Sequence, residues 1–145
     1  NYTMMGDTVN LAARLEASAK QYGIYIQVNE STYKVVKDKF DWRFLDYVRV
    51  KGKQLPVKVY ELIAEKGKMN DTDKVVIEAF SQAQELYFKQ DWDNAINGFK
   101  ECKELEDMFP GRSENPSNVY LKRCYQLKEN PPGKDWDGIW VLTKK

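Results

Sequence analysis

The fifteen-residue stretch Tyr2–Glu16, YTMMGDTVNLAARLE, decides how this chain is interpreted. Its first residues are typical of the end of a strand, and Gly6–Thr8 is typical of a turn into a helix. The Asp or Thr of this turn would cap the helix by accepting a hydrogen bond from an otherwise unpaired backbone N–H. Asn10 and Arg14 are four residues apart, so they lie on one helix face, beside its apolar stripe. The stretch therefore predicts a helix that presents two polar side chains to a cleft.

The residues up to 66 continue an alternation of helices and strands. The first helix is expected to run to about Gln21, followed by a strand, a second helix and two more strands. These are predicted at Ile24–Val28, Thr32–Phe40, Trp42–Val50 and Val57–Ala64. The order β-α-β-α-β-β predicts an α/β (α+β) domain with too few strands to close its sheet. Because an unpaired edge favours association, we expect a homodimer or a domain-swapped oligomer.

The composition changes at Glu65–Asp73, where Gly, Lys and Asn replace apolar residues, and we place a domain boundary there. Residues 67–145, called the tail below, have a helical pattern punctuated by Pro and Gly. Helices are predicted at Val75–Gln90, Trp92–Met108 and Asn118–Leu127, and the apolar stretch Trp136–Thr143 is expected to pack back on them.

The overall composition excludes several classes of protein. Lys and Arg number 23 against 22 Asp and Glu, which argues against a nucleic-acid-binding surface. No apolar run is long enough to span a membrane, and no signal peptide is visible. The chain has no His, and its two cysteines have no CxxC spacing, so a zinc site or a Cys–His nucleophile within it is excluded. Any chemistry must therefore use Lys, Arg, carboxylates or a metal ion.

Tyr2–Glu16 resembles the signature of class III adenylate and guanylate cyclases, which implies that the parent domain is ferredoxin-like. The resemblance implies that Asn10 holds the ribose and that Arg14 stabilises the transition state when the 3′-hydroxyl attacks the α-phosphate. The residue types suit these roles, because a guanidinium offers a planar fork of donors to phosphate oxygens and an amide can orient a sugar. An Asn and an Arg on a helix are more often solvated surface residues, but the long matching string favours the functional interpretation.

Two further positions match the same family. Val48–Leu62 resembles its late strand pair, which implies that Lys51 reaches the triphosphate of the substrate; the alternative is a solvated lysine in a basic turn. Thr3 stands where the family reads the purine, and its hydroxyl can accept from an adenine amino group, which favours ATP over GTP. The alternative for Thr3 is a strand residue chosen for its β-propensity.

The resemblance also implies a shared, metal-dependent site. Family enzymes work as dimers and bind two Mg²⁺ or Mn²⁺ ions through Asp residues early in the domain, and we identify no such ligands in this chain. Because the sequence opens at Asn1, without an initiator Met and inside an apolar stretch, we expect the chain to be a fragment. Because the metal ligands are missing from it, we expect this fragment to be inactive alone. The parent is expected to be cytoplasmic, with upstream segments that could tether it to the inner membrane.

The tail has a looser resemblance of its own. Tyr87–Phe99 resembles the core of a tetratricopeptide repeat, with Tyr87, Ala95, Phe99 and Pro110 near the expected places. The ending Asn130–Trp140 resembles the tail of many bacterial membrane-tethered adenylate cyclases. Packing of a helix pair explains these residues better than a protein partner bound through the tail. The rival to the whole interpretation is a silent cyclase remnant that acts as a protein-interaction scaffold.

Overall fold

The fold is given by a computed structural model, which describes residues 22, 24, 27–50, 52, 55–106 and 114–142, apart from the side chain at position 50. The strands are β1 (Gln27–Asn29), β2 (Phe40–Val50), β3 (Val57–Glu65) and β4 (Trp140–Leu142). The helices are α1 (Glu30–Val36), α2 (Asp71–Phe88), α3 (Trp92–Leu105) and α4 (Pro116–Glu129), and a 3₁₀ turn, Lys37–Lys39, joins α1 to β2.

The described strands form one mixed sheet in the order β1-β3-β2-β4. β3 pairs antiparallel with both β1 and β2, whereas β4 pairs parallel with β2. The strand from the end of the tail therefore covers the β2 edge of the sheet. β1 is at the other edge and, within the described ranges, pairs with β3.

Three helices begin at an asparagine whose side-chain oxygen accepts a backbone N–H, which is why their starts differ from the predicted ones. α2 begins four residues before the predicted Val75, and α4 begins two residues before the predicted Asn118, where Pro116 suits the first turn because it lacks an N–H. The Oδ1 to N distances are 3.0 Å from Asn29 to Thr32, 2.7 Å from Asn70 to Asp73 and 2.8 Å from Asn115 to Asn118.

The predicted α+β class is confirmed, with local corrections. The first described strand is Gln27–Asn29 rather than Ile24–Val28, and the predicted helix Thr32–Phe40 is α1, which ends at Val36, while Phe40 begins β2. α3 ends at Leu105, not at Met108. Whether the parent domain is ferredoxin-like and whether the tail is a repeat both remain predictions, as does the boundary at residue 66.

The interior has two apolar clusters. One lies among the tail helices and is rich in aromatic rings. Trp136 packs against it as predicted, whereas Trp140–Leu142 of the same stretch pair with β2 instead. The other lies on the sheet face towards the helices, where Leu142 of β4 joins it. The first comprises Phe80, Ala83, Tyr87, Trp92, Ala95, Ile96, Phe99, Cys102, Tyr120, Leu121 and Cys124; the second comprises Tyr22, Ile24, Leu45, Val48, Val59 and Leu142.

Candidate functional site

Thr3, Asn10, Arg14 and Lys51, the four residues predicted to form the site, lie outside the described residues. The structure does describe what adjoins them in the chain. Tyr22 follows Arg14 by eight positions, and strand β2 ends at Val50, directly before Lys51. Both Tyr22 and the end of β2 contact residues of the tail.

A β-bulge in β2 faces the tail helices. Phe44 pairs with Tyr60 and Asp46 pairs with Val59, so Leu45 is the extra residue between two consecutive pairs. A bulge disrupts the ladder and leaves backbone groups that need other partners. Gln84 of α2 and Tyr120 of α4 provide them: Gln84 Nε2 donates to the carbonyl oxygens of residues 44 and 45, both at 3.2 Å, and the Tyr120 hydroxyl lies 2.7 Å from the latter.

A buried ion pair lies next to the bulge and joins three distant parts of the chain. Arg123 Nη2 of α4 lies 2.7 Å from Asp46 Oδ2, and both side chains are almost fully buried. The Tyr22 hydroxyl donates to the same carboxylate oxygen and accepts from Arg123 Nη2 at 3.2 Å. The other carboxylate oxygen accepts the Tyr47 backbone N–H at 2.8 Å and lies 3.0 Å from the Tyr120 hydroxyl. The carboxylate is therefore fully hydrogen-bonded, as a buried charge must be.

Burial and the charge of Asp46 set the pKa values of Arg123 and Tyr22. Burial alone would lower the pKa of Arg123, but the adjacent Asp46 carboxylate outweighs it and raises that pKa well above its ordinary value. Burial, together with the Asp46 charge, raises the pKa of Tyr22 well above its ordinary value. Arg123 therefore stays charged and the Tyr22 phenol stays neutral throughout the physiological pH range. The Arg123 guanidinium also lies 4.3 Å from the ring centroid of Trp140 and 5.0 Å from that of Tyr120, which favours the cation further.

A second buried ion pair joins the sheet to the end of α3. Arg43 Nε and Nη2 donate to Glu61 Oε1 at 2.8 and 2.5 Å across β2 and β3, and Nη2 also lies 2.7 Å from Glu106 Oε2. Ser117 of α4 donates to the other oxygen of Glu106 at 2.6 Å. The Arg43 guanidinium lies 4.8 Å from the ring centroid of Phe80. Two cation–carboxylate clusters thus attach the helices to one face of the sheet.

The backbone before Lys51 is held by β4. Val48, Arg49 and Val50 pair in parallel with Trp140, Val141 and Leu142. Gly52, in the turn that follows, is exposed and has a φ of +88°, a conformation that suits glycine. The last strand of the tail therefore fixes the strand end from which the predicted phosphate-binding lysine follows.

The opposite face of the sheet carries half-buried aromatic rings. Tyr33 of α1 stacks on Tyr60 with ring centroids 3.7 Å apart, and Trp42 and Phe44 contact these rings edge-on. The cluster explains how the short helix α1 is attached to the sheet. It brings together no groups suited to catalysis.

The described residues do not fit the Mg²⁺ or Mn²⁺ site that the resemblance implies. They contain no cluster of three or more potential ligands from His, Cys, Asp and Glu. The buried carboxylates of Asp46 and Glu61 are already neutralised by arginines and are poor candidates for a divalent ion. No catalytic step is therefore assigned through a metal ion held by these residues.

Comparison with known proteins assigns the first part of the chain. Residues 1–64 match the family model of the adenylate and guanylate cyclase catalytic domain. This range includes all four predicted site residues and β1 to β3, apart from the last residue of β3. No solved structure matches the chain. None of the helices in the described part of the chain is long and apolar enough to cross a membrane.

Three curated relatives carry the adenylate cyclase name. The chain is 30% identical over 128 residues to "Adenylate cyclase, terminal-differentiation specific" of Dictyostelium discoideum, covering 86% of this chain and 6% of that protein. It is 35% identical over 72 residues to "Adenylate cyclase 1" of Rhizobium meliloti (strain 1021), covering 50% and 11%. It is 40% identical over 65 residues to "Adenylate cyclase" of Anabaena cylindrica, covering 43% and 13%. The chain thus spans only 6 to 13% of the length of these relatives.

The Dictyostelium similarity also reaches the tail. Because it covers 86% of the chain and the family match ends at residue 64, it must continue through much of the helical region. The tail and the cyclase-like segment therefore occur together in that relative. A bacterial origin of this arrangement, predicted from the tail, is not established, since the relatives include a Dictyostelium protein.

Sequence reasoning missed the network of Tyr22, Asp46 and Arg123. Two signals were available. Asp46 interrupts the apolar run Phe44–Val48, and Arg123 shares the buried helix stripe of Tyr120 and Cys124 at spacings of three and one. A charge placed among buried positions needs a partner of opposite charge, and these two charges can satisfy each other.

Proposed function

We propose that this chain is part of a class III adenylate cyclase that converts ATP to 3′,5′-cyclic AMP and pyrophosphate. The observation that carries the proposal is the match of residues 1–64, with Asn10 and Arg14 in the motif, to the cyclase catalytic domain. The names of the three relatives favour ATP as the substrate. The helical tail belongs to the same protein, as in the Dictyostelium relative.

In the proposed reaction the ribose 3′-oxygen forms a bond to the α-phosphorus while the bond to the pyrophosphate oxygen breaks and the 3′-hydroxyl proton is released. Arg14 neutralises charge that develops on the phosphate, and Asn10 orients the ribose. Lys51 holds the triphosphate as a point charge, and Thr3 accepts from the adenine amino group. Mg²⁺ or Mn²⁺, held by carboxylates beyond the described residues, would supply charge neutralisation at the phosphates.

We further propose that the active form is a dimer and that this chain contributes the purine, ribose and transition-state side of a shared site. Among the described strands β1 is an edge strand, which supports the expectation that further strands complete the sheet of the working domain. The chain of residues 1–145 alone is expected to make no cyclic AMP. Cyclic AMP formation by that purified chain would contradict this part of the proposal.

The experiment that tests the function measures cyclic AMP and cyclic GMP formation by the complete protein, with ATP or GTP and with Mg²⁺ or Mn²⁺. Arg14→Ala and Asn10→Ala should each lower kcat with ATP by about a hundredfold, as expected on removal of one transition-state donor. Lys51→Ala should mainly raise KM for ATP. Lys58→Ala is the matched control, because Lys58 is an exposed lysine of the same hairpin. Absence of product from either nucleotide with either metal ion would refute the proposed function and favour the scaffold.

A further inference from the structure

Two described points of the chain, Tyr22 and the end of β2, adjoin in sequence the segments that carry the predicted site residues, and both are held by the tail. Tyr22 comes eight residues after Arg14, and its buried hydroxyl bonds to Asp46 of β2 and to Arg123 of α4. Val48–Val50, directly before Lys51, pair with β4. Arg123 lies between these two attachments, since its guanidinium also packs on Trp140 of β4.

We propose that the tail is a positioning element of the cyclase site, with Tyr22 and Leu142 as positioning residues. On this view α4 sets the segment that carries Asn10 and Arg14 through Tyr22, and β4 sets Lys51 through its pairing with the end of β2. The inference rests on the proposed function and adds a role that the residues of the tail perform without touching the substrate.

The geometry supports this role over that of a loosely attached appendage. The contacts are made by groups that are almost fully buried, among them Asp46 at 0% exposure, Tyr22 at 2% and Arg123 at 5%. A hydrogen bond to a charged group inside a protein has strict distance and angle requirements, so this network allows little displacement of Tyr22 relative to β2. Displacement of a catalytic group by about 1 Å can lower a rate by about a hundredfold.

The two attachments predict different kinetic effects. Removal of the Tyr22 hydroxyl leaves the ring and the Arg123–Asp46 ion pair in place but removes the hydrogen bonds that tie position 22 to β2 and α4. Because Arg14 acts in the transition state, Tyr22→Phe should lower kcat while KM for ATP stays nearly constant. Detachment of β4 should instead disturb Lys51, which binds the triphosphate in the ground state as well, so KM should rise.

For the first attachment we would assay the complete protein with ATP and compare Tyr22→Phe with Tyr125→Phe. Tyr125 is the matched control because it is an exposed tyrosine of α4, 47% accessible. Tyr22→Phe should lower kcat by about tenfold with less than a twofold change in KM, at a temperature where circular dichroism shows both variants folded. A kcat equal to that of the control would overturn the inference.

For the second attachment we would compare Leu142→Asp with Val141→Asp. Leu142 packs in the sheet core, whereas Val141 is its outward-facing neighbour on the same short strand, 36% exposed. Leu142→Asp should raise KM for ATP by about tenfold, and Val141→Asp should leave KM within about twofold of the wild-type value. Both variants add one negative charge, so a difference between them reports detachment of the strand and not repulsion of the nucleotide. Equal KM values would overturn this half.

The tests separate the inference from the proposed function. If the wild-type protein makes no cyclic nucleotide, the proposed function fails and the inference fails with it. If the wild type is active and Arg14→Ala is inactive while both tail comparisons show no difference, the function stands and the positioning role is wrong.

Discussion

The ion pair between Asp46 and Arg123 allows a quantitative test of how the tail is attached. We would make Asp46→Asn, Arg123→Met and the double variant in the chain of residues 1–145. The replacements change little volume, so the main perturbation is the loss of one or both charges. Both side chains are almost fully buried, and water therefore cannot solvate a charge left without its partner.

The two single substitutions should differ in cost. In Asp46→Asn, the Arg123 cation loses its counter-charge and faces only neutral groups among its described partners, and the pKa of an arginine is too high for it to neutralise itself. This cost should be about 3–5 kcal/mol of unfolding free energy. In Arg123→Met, the Asp46 carboxylate keeps the Tyr22 hydroxyl and the Tyr47 N–H as donors, so most of its hydrogen bonds remain. Loss of one charge-assisted hydrogen bond then costs about 2 kcal/mol.

The double variant should be less destabilised than the sum of the single variants by about 2 kcal/mol, because neither charge remains without its partner. The assay is urea unfolding at pH 7, followed by fluorescence of the four tryptophans and by circular dichroism. Additive single effects, or costs below about 1 kcal/mol for both, would refute the reasoning, since they would mean that the pair is solvated or unformed.

Two further predictions concern stability. Gly138→Ala should lower the free energy of unfolding by about 2 kcal/mol in thermal unfolding, because the added Cβ would lie 2.9 Å from the Phe88 ring at a φ of +81°. Gly133→Ala is the control: its φ is +92°, no atom lies within 4 Å of the added Cβ, and the loss should be about half as large. Equal losses of stability would contradict the contact with Phe88. Burial would raise the pKa of Glu114, but bonds from Lys122, Asn118 and the Asn115 N–H lower it below its ordinary 4.5. The ionised Glu114 carboxylate therefore stabilises the fold above pH 4.5, and this stabilisation is lost as the pH falls through the lowered pKa. Glu114→Gln should lower the free energy of unfolding by about 1 kcal/mol at pH 7 and leave it unchanged in strong acid. A difference that does not vary with pH would contradict the assignment.

Local structure was predicted from the sequence wherever one periodicity dominates. The strands of the hairpin were placed to within two residues at each end because apolar and polar residues alternate along them. The tail helices were found from their apolar stripe, and their starts were missed where an asparagine outside that stripe caps the helix, as Asn70 does. Periodicity describes which face is buried, and the end of a helix depends on single side-chain hydrogen bonds.

Strand β4 could not have been predicted as part of the sheet. Its three residues are apolar and aromatic, and the sequence indicated only that they pack on the tail helices. Pairing with β2 brings together residues about ninety positions apart, and no local pattern encodes such a choice. An unpaired sheet edge was expected, and the β2 edge is covered by β4; among the described strands β1 lies at the other edge.

The mode of attachment decides what kind of element the tail can be. A helical unit that docks only through apolar surface can slide, because the hydrophobic effect is not directional. This tail meets the sheet through a bulge that offers carbonyl oxygens and through two buried arginine–carboxylate clusters, whose contacts depend on distance and angle. Replacement of such clusters by apolar residues can increase stability, so stability alone does not explain them. Their consequence is a fixed register between α4, β2 and Tyr22. The proposed site, whose residues run from Thr3 to Lys51, requires such a fixed register of the segments that carry it.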